Sequence, residues 1–112
     1  GEYIDQETHQ QRLDRLLWEG RLTTAARMMK HVNEDYRRLA EARASLRAMR
    51  GGVDGAINRV PEKYRDDPGL IYERVRWRRK KDRDQDARDL LLSQANDLAY
   101  ISIRPQYRLD RA

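Results

Sequence analysis

The apolar residues of this chain recur at helical spacing. Leu13, Leu16 and Leu17 share one face of a helix expected over 6–19. Tyr36, Leu39, Ala40 and Leu46 repeat the pattern in a second long helix that starts after Asn33. Leu70, Ile71, Val75 and Trp77 form the apolar face expected of a third, running from Pro68 to about residue 81. Shorter helices are expected after each long one: through about residue 31, from about 54 to 60, and over about 84–94.

Residues at the element ends agree with this division. Gly20 ends the first helix in a left-handed conformation, and Gly51-Gly52 stops the second. Asn33 is the expected cap of the second long helix, with Glu34 and Asp35 favouring its positive end. Asp67 is a natural cap for the third, and Pro68 suits a first helical position. The tail "AYISIRPQYR" alternates polar and apolar residues and contains Pro105, so it reads as an extended link.

An internal repeat of 31 residues organises these elements. It aligns Gly20, Gly51 and Asp82 as turns, and Ala25, Ala56 and Ala87 as small residues for close helix approach. Met29, Val60 and Leu91 align as apolar anchors, Leu13 with Ala44 and Val75, and Arg12 with Arg43 and Arg74. The expected fold is all-α: a right-handed α-solenoid of about three helix–turn–helix repeats, tetratricopeptide-like, over residues 1–94. Residues 95–112 form the extended tail or link.

Charge changes the picture in one place. The chain has 112 residues and a net charge of +5, but 74–83 holds seven basic residues and one acid. The high basicity is therefore local. A phosphate-binding surface usually spreads its cations more widely. Helical spacing places Arg74 and Arg78 on the inner face of the third helix, and Arg76, Arg79 and Lys80 on the outer face. Arg43 and Arg47 take the inner positions of the second. Two roles suit an inward arginine: stitching stacked helices to carboxylates, or contacting an anionic partner in a groove. Arg43, Arg47, Arg74 and Arg78 are the candidate partner-contacting residues.

No catalytic constellation is legible. The absence of cysteine excludes a disulfide framework, thiol catalysis and cysteine-ligated metal. His9 and His31 belong to different helices and to no metal motif, so no metal or other cofactor is expected. Glu34-Asp35 and Asp66-Asp67 stand at helix starts, where capping explains them. Trp18 and Trp77 are expected to pack between helices. No apolar run reaches membrane-spanning length, and no signal peptide is visible.

The runs "RLDRLLWEGRLTTAARMM", "LAEARASLR" and, most specifically, "DDPGLIYERVRWRRKKDRDQDARDLLL" resemble the α-superhelical region of soluble lytic murein transglycosylases of the alphaproteobacterial type. The likeness spans about residues 10–93. It implies a periplasmic setting and a peptidoglycan context. It also implies a superhelical support for a lysozyme-like catalytic domain in the same parent chain. That family's catalytic motif contains a Glu-Ser pair, and none occurs here, so no catalytic residue carries over. The expected role is a non-catalytic scaffold segment that positions the catalytic domain and guides glycan or protein partners. The alternatives are a tetratricopeptide-like module for an acidic peptide, using the four arginines, and a small basic nucleic-acid-binding helical protein. No nucleic-acid partner is expected on the first two readings.

Overall fold

The computed structural model describes residues 2–103, with side chains over 6–96. The described chain is all-α, with five α-helices and no strand among the described residues. They are α1 (Glu2–Trp18), α2 (Leu22–Met28), α3 (Glu34–Arg47), α4 (Val53–Asn58) and α5 (Pro68–Ile103). Single 3-10 turns at Met29–His31 and Glu62–Tyr64 follow the two short helices. Two units are distinguished, Gly1–Trp77 and Arg78–Ala112.

In the first unit, the local chemistry of the caps sets the helix ends. The Asn33 Oδ1 accepts from the Tyr36 amide at 2.8 Å, and the Asp67 Oδ2 accepts from the Leu70 amide at 3.0 Å. Each satisfies an amide that its helix leaves without a partner. At the end of α1, Gly20 takes φ +73°. Its amide donates to the Leu17 carbonyl, and the Arg21 amide to that of Leu16. This paired pattern is a Schellman motif.

The same motif ends α3, but two residues before the expected glycines. Met49 takes the left-handed position at φ 56°, donating to Leu46 while Arg50 donates to Ser45. Gly52, at φ 76°, instead leads into α4. The loop after α3 is therefore longer than the loop after α1. The last residues of α1 and α3 lie 29 apart, the first residues of α2 and α4 lie 31 apart, and the two Asx caps lie 34 apart. The chain thus repeats its elements without holding the fixed 31-residue register.

Two apolar clusters fill the first unit. One gathers Leu13, Leu16, Leu17, Ala25, Val32, Ala40 and Ala44. The other gathers Leu39, Ala42, Leu46, Val53, Ala56, Val60 and Leu70. Each fully buried leucine contributes about 1.5–3 kcal/mol. Alanine at 25, 40, 42, 44 and 56 keeps the buried faces narrow and the helices close. Ala56→Leu is therefore expected to overpack the second cluster and to lower stability by about 1–3 kcal/mol, read by urea unfolding. An unchanged midpoint would contradict this packing.

The expected turn at Asp82 is not formed, because α5 runs unbroken from Pro68 to Ile103. No glycine or proline lies between Gly69 and Pro105, and Arg, Lys, Leu, Gln and Ala are frequent through that stretch. The extended reading of the tail fails over 95–103 for the same reason; 104–112 lie outside the described residues. In the second unit, every side chain over 81–96 is exposed. The third members of the aligned triplets, Ala87 and Leu91, therefore do not reach a core.

Candidate functional site

The strongest chemistry in the first unit is a set of charges joining α1, α3 and α5. Arg43 of α3 is 1% exposed. Its Nη1 donates to the Asp14 Oδ1 of α1 at 2.7 Å and lies 3.9 Å from the Asp67 Oδ2. Its guanidinium also stands over the Trp18 ring, 5.4 Å from the centroid. Gly69, on the first turn of α5, makes room for it: a Cβ there would collide with three guanidinium atoms. The position uses both halves of arginine, an apolar stem to bury and a fork to pair.

One turn along α3, the Arg47 Nη1 donates to the Glu73 Oε2 at 3.1 Å. Glu73 is only 2% exposed, and its other oxygen has no hydrogen-bond partner. Arg76 donates to the Arg47 backbone carbonyl at 3.3 Å, placing a cation at the negative end of α3.

Of the four candidate arginines, the structure brings Arg43 and Arg47 to internal carboxylates. It leaves Arg74 and Arg78 exposed. Arg12, expected inward by its alignment with Arg43, is exposed too. The buried stripe of α5 is Leu70, Glu73 and partly buried Trp77, while Ile71 and Val75 are 46% and 45% exposed. The four apolar residues spread too far around a helix to define one face. Seating Leu70 in the second cluster and Glu73 on Arg47 selects one stripe and turns Ile71, Arg74 and Val75 outward. Arg76 is half-buried on the same grounds, although spacing placed it outside.

A groove of about 370 Å³ opens beside this charge set. Glu7, Asp14 and Trp18 of α1 line it with Tyr36 of α3 and Asp67. Its charged lining is acidic, so it does not offer the anion-binding surface that inward arginines suggested. Its carboxylates come from separate elements at no fixed spacing, and only the fold assembles them. The Tyr36 hydroxyl donates to the Gln10 carbonyl at 3.2 Å, and its ring meets that of Tyr64 edge-on at 5.6 Å. Burial, then the Asp14 carboxylate, pushes the Tyr36 phenol up from 10.0 to about 12, with Arg43 opposing.

That shift has a pH consequence. The unfolded chain releases the Tyr36 proton near pH 10, while the folded chain holds it until about 12. This contribution is complete below pH 10 and is lost as pH rises toward 12. Thermal unfolding should therefore show a stability decline across that window that is smaller in Tyr36→Phe. Equal declines in both proteins would contradict the assignment.

The two histidines, from different helical elements, stack with ring centroids 4.9 Å apart and 21° between planes. They bring no third ligand: among the described residues, no group of three His, Asp or Glu is placed to hold a metal ion. Trp18 packs against Tyr72, with centroids 5.2 Å apart, while staying 41% exposed. Among the described residues, no helix is long and apolar enough to cross a membrane. Fold and site together define a small all-α protein whose buried charges join its helices. Compared with protein-family models, curated proteins and solved structures, the chain matches none of them.

Proposed function

We infer that this chain is a non-catalytic helical scaffold segment, built as a short α-solenoid, from a peptidoglycan lytic transglycosylase. One observation carries the scaffold reading. The inward arginines Arg43 and Arg47 are each engaged by a carboxylate from another helix, Asp14 and Glu73. Their charge is used to hold successive helices in register. The near-repeat of long helix, Schellman stop, short helix and 3-10 turn supports the solenoid form. The cell-wall context rests on the likeness of residues 10–93 to the superhelical region of that enzyme class. On this reading the partner is the catalytic domain of the same parent chain, in the periplasm, with peptidoglycan passing nearby.

A second reading, a module for an acidic partner, draws on Arg74, which is exposed and makes no ion pair among the described residues. Titration of the chain with an acidic peptide and with duplex DNA at about 50 mM salt separates the readings. The scaffold predicts no saturable binding to either. Saturable peptide binding lost in Arg74→Ala would favour the module, and steeply salt-dependent DNA binding would favour the nucleic-acid alternative.

A further inference from the structure

Within the first unit, the acidic groove runs into an exposed apolar surface. Glu7, Gln11, Asp14 and Trp18 line the groove from α1. They recur at steps of four, three and four residues, so they form one stripe of that helix. Trp18, at the end of the stripe, packs on Tyr72 of α5. Ile71, Tyr72 and Val75 are all exposed. Helical spacing sets these three within about 100° of one another, with Val75 in the middle. A contiguous exposed apolar surface beside polar groups marks an interaction site.

Charge says what fits it. Three carboxylates line the groove, Glu7, Asp14 and Asp67, and one guanidinium, that of Arg43, faces them, which leaves two negative charges. Glu7 makes no ion pair among the described residues. The chain as a whole carries +5, so a basic partner is repelled elsewhere and drawn to this place. The Trp18 ring is already held by Arg43 and Tyr72, so it loses little freedom when a partner packs on it. Tryptophan and tyrosine are also the side chains that most often carry binding energy at such surfaces.

We propose that this surface docks a basic segment of a partner protein. An arginine or lysine side chain of the segment enters the groove against Glu7 and Asp14, and a neighbouring apolar side chain packs on Tyr72 and Val75. The groove, at 370 Å³, is at the lower end of ligand pockets and suits a side chain rather than a larger body. An acidic or phosphate-bearing partner would meet the same carboxylates as repulsion. The proposal goes beyond the scaffold reading and does not rest on it, since a free-standing helical protein would carry the same surface.

The probe is a short fluorescein-labelled peptide with two arginines beside two leucines, together with its copy carrying glutamate for arginine. Both are titrated with the full chain at about 50 mM salt and followed by anisotropy. The arginine peptide is expected to bind saturably and the glutamate peptide not at all. Glu7→Arg and Tyr72→Ser should each weaken binding by about tenfold or more, as loss of a central contact does, while urea unfolding stays near that of the parent. Arg74→Ala should leave the affinity unchanged. No saturable binding of the arginine peptide, equal binding of the glutamate peptide, or an unchanged affinity in either Glu7→Arg or Tyr72→Ser would overturn the proposal. So would a dimer of the chain that Tyr72→Ser dissolves, because the surface would then belong to a second copy.

Discussion

Arg47→Met is expected to destabilise the first unit by about 3–5 kcal/mol, one of the two largest effects in this chain. The cause is Glu73. Its carboxylate is 2% exposed, and Arg47 makes its one described ion pair. Methionine keeps most of the packing of the arginine stem, so the loss isolates the charge. An uncompensated buried carboxylate must either stay ionised away from water or take up a proton. The companion variant R47M/E73L removes both charges and should recover most of the loss, because a well-packed apolar pair replaces a buried ion pair at little cost. Urea unfolding of the four proteins gives the coupling directly. Additive effects of the two substitutions would contradict the pairing.

Gly69→Ala is expected to be nearly as damaging, about 3 kcal/mol, at the upper end of what overpacking costs. Alanine is normally the better helix former, by about 1 kcal/mol over glycine. Here the added Cβ would occupy the space of the Arg43 guanidinium. Arg43 cannot retreat without lengthening its 2.7 Å bond to Asp14. The sign of the substitution is therefore set by the neighbour. In an Arg43→Met background the same change should be neutral or stabilising. A Gly69→Ala protein as stable as the parent would show that Arg43 is free to move, contrary to its burial.

Several features were legible in the sequence because their physics is local. Asn33 and Asp67 cap as expected, since a short acceptor before a helix meets free amides wherever the helix lies. Gly20 turns left-handed for a reason carried by its own backbone. Arg43 also turns inward, as its helical position suggested, although the sequence left open whether it would pair with a carboxylate or face a groove.

Other features depend on the fold. Met49 gives no local sign that it will take a left-handed position, with Gly51-Gly52 so close behind. The face of α5 was ambiguous because Ile71 and Val75 are as apolar as Leu70, and only Glu73 meeting Arg47 decides between them. The turn at Asp82 was inferred from alignment with Gly20 and Gly51, and helix-favouring residues around it prevailed. The acidic groove was hidden because Glu7, Asp14 and Asp67 converge only when α1 and the start of α5 are packed with α3.

The most direct test of the scaffold assignment is the coding sequence that follows residue 112. The account predicts a continuous reading frame into a lysozyme-like domain carrying a Glu-Ser motif. A stop codon soon after, with no such domain, would contradict it and leave a free-standing helical protein whose partners must be sought through its exposed surfaces.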